Sequence, residues 1–530
     1  MKENATITID ADERNLPQAL AFVDTILGKR SINPSIAYEA RLLFESLFYK
    51  IVSQVGERGT ELEIGSIREL GHTDIKISFP GRRFSPLEED VSSDPDAKII
   101  EYYSDKISCS YHGGCNVIRI SVGQSAWAFI LPSLIAVVAA VLVGLVLRFM
   151  LGDAEQQMMV EKWIAPLQKL FTNAVLMIGA PMTLFSLLKN VTDSFIVAER
   201  NSSARKLFVV SIASSVIVIV VALIMGFLVA RSILHATGMT GQYDLGFASW
   251  SLAEAVDQII PSSIIEPFET ISPIPMIVVA LLIAGSLGSM GQNFDVVKRA
   301  IDVCYDLFSG ILNIVMAAFP AACFLLFLQI LLAEDGIAGF LEILCIVLIV
   351  FVCTVPVLVL DAIGLKIYAI PTREFMAKLW PLVKENLAIG SIIDAVPFNT
   401  RYCWKNLGIS RARLEKELPV LAQASLDGNC FVLMLLATIY IFLANCKVSW
   451  INIAVIALIV LFLSLGAPNQ PGSILIGMLI ILAYLNSDYA VSLALAFELF
   501  CGGLQNILNV ISSVVTVAQD ERIEERHNNR

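Results

Sequence analysis

Residues 121–147 contain no charged side chain and are mostly apolar. About 20 residues of this kind, folded as a helix, cross the hydrocarbon core of a bilayer. Five more apolar stretches of comparable length follow, at residues 170–188, 207–230, 271–292, 307–333 and 343–360. The sequence therefore predicts a membrane all-α fold with several transmembrane helices.

The segment before the first span has the composition of a soluble domain. The whole chain has only 16% charged residues, against about 25% in soluble proteins, and the shortage lies after residue 124. Before it, alternating apolar residues predict strands, and apolar residues at helical spacing predict helices. These strands are predicted at residues 4–11, 60–70, 72–81 and 115–122, and the helices at 15–30 and 33–56. We expect an N-terminal soluble α/β domain over residues 1–124, a membrane domain over 125–520 and a charged tail over 521–530.

Basic residues in the loops predict the orientation of the spans, because cytoplasmic loops carry an excess of Lys and Arg. The loops after the second and fourth predicted spans are basic, whereas the turns after the first and fifth are acidic. The N-terminus has no apolar leader segment. Both observations predict a multi-pass protein of the cell inner (plasma) membrane with cytoplasmic N- and C-termini. A net charge of −11 offers no footprint for nucleic acid.

Two apolar segments after Lys366 are interrupted. The first is broken by Asp394 and Pro397, and the second by the sequence GAPNQPG, residues 466–472. Pro and Gly cannot continue a lipid-facing helix, and broken backbone persists in a membrane only where protein or a water-filled cavity satisfies its polar groups. The pattern predicts two re-entrant helical hairpins, with a transport site where their tips meet.

An acidic residue lies inside another apolar stretch, in the decapeptide LAQASLDGNC at residues 421–430. A carboxylate at membrane depth is costly and is by default a sign of function. Asp427 is either such a functional group or a structural carboxylate that is hydrogen-bonded to Gln423 or Ser425. The next residue, Gly428, gives the backbone freedom to leave the helical conformation.

Several motifs occur together and in order. Leu418-Pro419 precedes SLDGN, Gly408-Ile409-Ser410 follows the first interruption, and Asn509-Val510 lies in the last span. In this order the sequence resembles the dicarboxylate/amino acid:cation symporter family, the glutamate transporter homologues, over residues 125–520. The resemblance implies a transporter domain of eight transmembrane helices and two re-entrant hairpins, which assembles as a homotrimer in membrane lipid and moves like an elevator.

The resemblance also implies two sets of site residues. In the family, the Asp of the seventh-span motif coordinates sodium, and that role falls on Asp427. Hard cations prefer oxygen ligands, which makes Asp427 and Asn509 the expected Na⁺ ligands. The full cation-binding set is Ser425, Asp427, Gly502, Asn509 and Ser513. The substrate-binding set is Ser391, Asp394, Asn429, Gly472, Gln505 and Asn506.

Three positions depart from the family pattern. Ser513 stands where the family has an Asp that binds a second sodium, Gly502 replaces the Asp that binds an amino group, and Gln505 replaces the Arg that holds an acidic side chain. These departures predict coupling to Na⁺ or H⁺, with a neutral solute or a smaller acid preferred over a dicarboxylate. Asp394 is either a proton or amine site or a helix cap, and Glu498 either a proton carrier or a structural hydrogen-bond partner.

The first 124 residues resemble the anti-sigma-factor kinases of the GHKL ATPase superfamily. That superfamily has a Glu followed four residues later by an Asn that holds magnesium, but here Tyr49 follows Glu45. The adenine-binding loop is reduced to Gly81 in the sequence FPGRR. We expect a degenerate domain that does not bind ATP and that contacts a cytosolic regulatory partner.

The sequence thus predicts a non-enzyme without an organic cofactor. The first function is a secondary active transporter for amino-acid transport or carboxylate transport, by cation-coupled symport of a small organic solute. The alternative is a solute-sensing membrane receptor that kept the transporter fold and signals through its cytosolic domain.

Overall fold

A computed structural model of the chain contains two compact units, Met1–Ala128 and Phe129–Arg530. The residues that the structure describes are 6–29, 34–55, 60–69, 72–81, 84, 86, 99–100, 103, 106–112, 114–122, 127–200, 202–236, 260–264, 266–269, 272–287, 294–333, 336–393, 395–443, 449–466, 471–485 and 491–528.

The first unit is built on a five-stranded antiparallel sheet with strand order β1-β2-β3-β5-β4. Ile64, Ile77 and Ile118 are paired across three neighbouring strands and are buried. The predicted strands and helices form, while β4 has no counterpart in the sequence prediction. The elements are β1 (Thr6–Asp10), α1 (Leu16–Lys29), α2 (Pro34–Val55), β2 (Glu61–Glu69), β3 (His72–Pro80), β4 (Ile107–His112) and β5 (Cys115–Val122).

The residues that argue against nucleotide binding lie on α2 and after β3. Glu45 is partly buried and Tyr49 is exposed on α2, and Gly81 has a φ of 152°. The interpretation of this unit as a degenerate ATPase domain with a regulatory partner stays a prediction.

The described part of the second unit is helical. Its first half contains α3 (Trp127–Met150), α4 (Asp153–Met159), α5 (Ala165–Arg200), α6 (Ser202–Met225), α7 (Arg231–Ala236), α8 (Glu266–Glu269), α9 (Pro273–Leu287), α10 (Phe294–Met316) and α11 (Phe319–Leu332). Its second half contains α12 (Gly336–Cys353), α13 (Val355–Ile367), α14 (Thr372–Ile389), α15 (Val396–Tyr402), α16 (Arg411–Ala424), α17 (Asp427–Leu443), α18 (Trp450–Leu465), α19 (Ser473–Tyr484) and α20 (Val491–Asn528).

Among the described residues, six helical stretches are long and apolar enough to cross a membrane, or seven when the bent pair α10 and α11 is counted as one span. The predicted span at 271–292 contains α9, which is shorter than a full span, and residues 288–293 lie outside the described part. The predicted total of eight transmembrane helices therefore stays a prediction.

The predicted span at 307–333 is bent. The structure has α10 and α11 there, which meet at an angle of 48°. Pro320 lies in the first turn of α11, where its missing N–H removes no hydrogen bond but its ring prevents α10 from continuing.

Both interrupted segments form two separate helices each, as the positions of Gly and Pro predict. α14 ends at Ile389, before Gly390, which has a φ of 80°, and α15 begins at Val396. α18 ends at Leu465, and α19 begins at Ser473 after Gly472, which has a φ of 107°. We call α14 with α15 the first helix pair, and α18 with α19 the second helix pair.

The helix α17 occupies the centre of this unit. Each of its residues from Asp427 to Ile441 is buried, and it packs against α6, α18, α19 and α20. Its apolar side chains belong to the largest hydrophobic cluster of the described chain. A polar group at the start of this helix is therefore surrounded by protein rather than by lipid.

Candidate functional site

The carboxylate of Asp427 is enclosed by three hydroxyl groups. Ser214 Oγ donates to Oδ2 at 2.7 Å, Ser215 Oγ donates to Oδ1 at 2.6 Å, and Ser512 Oγ donates to Oδ2 at 2.5 Å. Asp427 is only 2% exposed. In the described chain, no Lys or Arg bonds this carboxylate. Its negative charge is thus solvated by hydroxyls from α6 and α20 but is not neutralised.

The helix that leads to Asp427 is interrupted immediately before it. α16 ends at Ala424, Ser425 has non-helical backbone angles, and α17 begins at Asp427. Ser425 Oγ lies 3.3 Å from Ser512 Oγ. The break brings a fourth hydroxyl, that of Ser425, to the same cluster.

An amide network extends the cluster along α20. The backbone N–H of Gly428 donates to Asn509 Oδ1 at 2.7 Å, and Asn509 Nδ2 donates to Asn429 Oδ1 at 3.1 Å. A Cβ atom on Gly428 would lie 2.1 Å from the carbonyl oxygen of Gln505. Only glycine permits this close approach of α17 to α20.

The ends of the two helix pairs are held by polar groups of α20. Gln505 Nε2 donates to Ser473 Oγ, and Asn506 Nδ2 donates to the carbonyl oxygen of Gly390 at 3.0 Å. Ser473 starts α19 and Gly390 directly follows α14. Consecutive residues of one helix therefore contact both helix pairs where their backbones turn.

The carboxylate of Glu498 caps the N-terminus of α19. Its carboxylate accepts hydrogen bonds from the backbone N–H groups of Gly472 at 2.7 Å and Leu475 at 3.0 Å. A carboxylate at a helix N-terminus satisfies amides that have no partner within the helix and interacts favourably with the helix dipole. This geometry supports the structural interpretation of Glu498.

The cluster around Asp427 has the chemistry of a site for a hard cation. Carboxylate, hydroxyl and amide oxygens are the ligands that Na⁺, Mg²⁺ and Ca²⁺ share. Among the described residues, no group of three His, Cys, Asp or Glu could hold a metal ion. The carboxylate of Asp427, bonded to several neutral hydroxyls, suits a monovalent cation or a proton.

Comparison with known proteins decides the family. The model of the sodium:dicarboxylate symporter family matches residues 129–519. The chain belongs to the sodium:dicarboxylate symporter family. It is also similar to a C4-dicarboxylate transport protein of Rhodopseudomonas palustris (strain BisB18), with 24% identity over 396 residues, which cover 71% of this chain and 85% of that protein.

Membership of the symporter family makes the chain a multi-pass membrane transporter and not an enzyme. The predicted recognition of this family is confirmed. The match runs from residue 129 to residue 519, so it covers most of the second unit and does not include the α/β unit.

The structure brings together some of the predicted site residues of this symporter. Ser425, Asp427 and Asn509 lie in the polar cluster, with Asn429 beside them, while Gly472, Gln505 and Asn506 lie at the ends of the helix pairs. Ser391 follows Gly390 directly and is buried. Asp394 lies outside the described residues. Their roles in binding stay predictions.

Two predicted cation ligands are not brought to Asp427. The hydroxyl of Ser513 donates to the carbonyl of Val510 in its own helix at 3.0 Å, and the neighbouring Ser512 bonds Asp427 instead. Gly502 lies beside Glu498 instead, because a Cβ atom added to Gly502 would lie 3.3 Å from Glu498 Oε1. Gln423 and Ser425 are wrong as the partners of Asp427, because its three hydrogen-bond donors lie on other helices. Whether the carboxylate is functional or structural stays open.

Sequence reasoning missed Ser214, Ser215, Ser512 and Ser473. The first two lie in the sequence SIASS inside an otherwise apolar span. A pair of adjacent hydroxyls in a transmembrane segment is a weak signal, because Ser also bonds its own helix backbone. Only the fold shows that both hydroxyls point at one carboxylate.

Proposed function

We propose that this symporter couples the inward movement of a small organic solute to a monovalent cation, Na⁺ or H⁺, which binds at Asp427. The observation that carries the proposal is the Asp427 carboxylate, which is buried among the hydroxyls of Ser214, Ser215 and Ser512 and has no basic partner in the described part of the chain. A buried charge without a partner is costly. A bound cation removes that cost, and binding is therefore favourable.

The solute site is proposed between the ends of the two helix pairs. Gln505 and Asn506 contact these ends from α20, and Asn429 joins the same region to the cation cluster through Asn509. Binding sites of transporters form where discontinuous helices meet. Gly428 and Asn509 connect the two proposed sites. Cation binding and solute binding therefore depend on the same hydrogen bonds between α17 and α20.

The wider arrangement is also a proposal. We expect the helix pairs to be re-entrant hairpins, the chain to form a homotrimer in the plasma membrane with cytoplasmic termini, and each transport domain to move as an elevator. The family match, the interrupted segments and the basic loops support this arrangement.

Cation binding is tested on the purified chain by thermal unfolding, which requires no knowledge of the solute. A ligand that binds the folded state raises the melting temperature in proportion to the logarithm of its concentration above its Kd. We expect Na⁺, or a lower pH if the ion is H⁺, to raise it relative to choline. Asp427→Asn should abolish this shift, and Ser215→Ala should weaken apparent affinity roughly tenfold, which corresponds to about 1.4 kcal/mol.

The matched control is Glu342→Gln, which neutralises another buried acid, in α12, outside the cluster. It should retain the cation-dependent shift. An Asp427→Asn chain with an unchanged response to Na⁺ and to pH would contradict the proposal. Uptake into proteoliposomes of a solute found by the same thermal screen then separates a transporter from a receptor, because a receptor binds the solute without flux.

A further inference from the structure

The segments that form the proposed solute site carry no basic residue. Neither Lys nor Arg occurs at residues 385–400, 417–446 or 448–521. These ranges include the turns of both helix pairs, all of α17, and α20 as far as Glu521. A solute held between these segments therefore meets no cationic side chain from them.

The charges that these segments bring to the site are negative. Asp427 and Glu498 are both buried, at 2% and 4% exposure. The hydroxyls around Asp427 and the amides of Gly472 and Leu475 on Glu498 solvate these carboxylates but add no formal positive charge. One bound cation at Asp427 offsets one of the two charges, and the net charge of the site stays at or below zero.

Among the described residues, the other polar groups at the ends of the helix pairs are neutral. They are the amides of Gln505, Asn506 and Asn429, the hydroxyl of Ser473 and the carbonyl of Gly390. Such groups both donate and accept hydrogen bonds, which suits amides, hydroxyls and zwitterions. A dianion in a buried site needs charged donors, for which bidentate Arg is the common solution in proteins.

From this balance of charges we infer that the solute carries no net negative charge and is a neutral or zwitterionic polar molecule rather than a dicarboxylate. The inference rests on the proposed function, because it takes the ends of the helix pairs as the solute site. The inferred solute thus differs from the dicarboxylates that the name of the family states.

The test compares solutes with the same carbon skeleton and different charge. Thermal unfolding of the purified full chain at saturating NaCl is measured with succinate against succinamide, and with aspartate against asparagine. We expect the neutral or zwitterionic member of each pair to raise the melting temperature at concentrations at least tenfold lower than the acid. Tighter binding of succinate than of succinamide by the unchanged chain overturns the inference.

A second arm changes the charge of the site itself. Gln505 reaches the start of α19 at Ser473, and therefore Gln505→Arg or Gln505→Lys places a cation where the solute is proposed to lie. At least one of them should bind succinate tenfold or more tightly than the unchanged chain, whereas Gln157→Arg, at an exposed position of α4, should not. Failure of both folded Gln505 variants to gain succinate binding also overturns the inference.

These outcomes are independent of the test of cation coupling. The solute measurements are made at one fixed, saturating cation concentration and need no flux. A chain whose Asp427 fails to bind a cation can still show the charge preference, and a chain that prefers dicarboxylates can still bind its cation at Asp427.

Discussion

The absence of a Cβ atom at residue 428 allows α17 and α20, the two helices that meet at the proposed cation site, to approach closely. An added Cβ would lie 2.1 Å from the carbonyl oxygen of Gln505 and 2.9 Å from Asn509 Oδ1. The first of these atoms belongs to the backbone of α20 and cannot rotate away. The hydrogen bond from Gly428 N–H to Asn509 depends on the same close approach.

We therefore predict that Gly428→Ala moves α17 away from α20. Overpacking of this kind costs about 1–3 kcal/mol, which should appear as a lower melting temperature in detergent, together with loss of the Na⁺- or pH-dependent shift. The control is Gly310→Ala in the middle of α10, where nothing lies within 4 Å of an added Cβ. It should stabilise the helix by about 0.5–1 kcal/mol, and equal effects of the two substitutions would contradict the prediction.

At the scale of residues, the sequence predicts Asp427 but misses the hydroxyls that bond it, because only Asp427 stands out from its own neighbours in the sequence. Asp427 is visible because a carboxylate in an apolar stretch conflicts with its surroundings. The hydroxyls that bond it come from residues 212, 213 and 85 positions away. No spacing rule relates residues on different helices, so Ser214, Ser215 and Ser512 emerge only from the fold.

At the scale of helices, α20 contacts both helix pairs, and the first pair also has a reciprocal side-chain contact between its own two helices. In the first pair, Asn386 Nδ2 donates to Asn399 Oδ1 at 2.6 Å and Asn399 Nδ2 donates back to Asn386 Oδ1 at 2.9 Å. The second pair is held by other helices, through Glu498 of α20 and through Asn190 of α5, whose Nδ2 donates to the carbonyl of Leu465 at 2.6 Å. The sequence predicts where both pairs turn, from Gly and Pro, but not which contacts hold them.

We predict a strong coupling between Asn386 and Asn399, which are 2% and 1% exposed. Asn386→Leu leaves the Asn399 amide buried without its partner, at a cost of about 1–3 kcal/mol. The double substitution to Leu removes both polar groups and should cost less than the sum of the two single changes by about 0.5–3 kcal/mol. Thermal or denaturant unfolding of the four chains measures this coupling.

The control for the pair is Asn406→Leu, because Asn406 is exposed and bonds only the backbone of Tyr402 in its own segment. Its effect should stay within about 0.5 kcal/mol. Additive effects of Asn386→Leu and Asn399→Leu would show that the reciprocal bonds do not hold the first helix pair together.

At the scale of the whole molecule, one charge cluster ties together helices that are far apart in the sequence. Arg413 at the start of α16 bonds Asp520 at 2.7 Å and Glu417 at 3.2 Å, and it also contacts Glu524. Lys206 of α6 contacts Asp520 at 3.2 Å. α6 and α20 supply the hydroxyls around Asp427, and α16 leads to that residue. Ion pairs near their ends thus join these same three helices a second time.

We predict that Arg413→Met destabilises the protein far more than Arg411→Met. The Arg413 side chain is 12% exposed and its partners Glu417 and Asp520 are 7% and 14% exposed. Its removal therefore leaves the Glu417 carboxylate buried without its cation and leaves Asp520 with Lys206 alone. Removing one partner of a buried ion pair costs about 3–5 kcal/mol. Arg411 is 64% exposed and pairs with Glu415 on the surface of the same helix, where an ion pair contributes about 0.3–0.5 kcal/mol. Melting temperatures of the two variants in the same detergent measure the difference.

Because α6, α16 and α20 also position the groups around Asp427, Arg413→Met should weaken cation binding as well, without any direct contact between Arg413 and that carboxylate. Equal melting temperatures for the two variants would show that the ends of these helices are held by their apolar contacts alone.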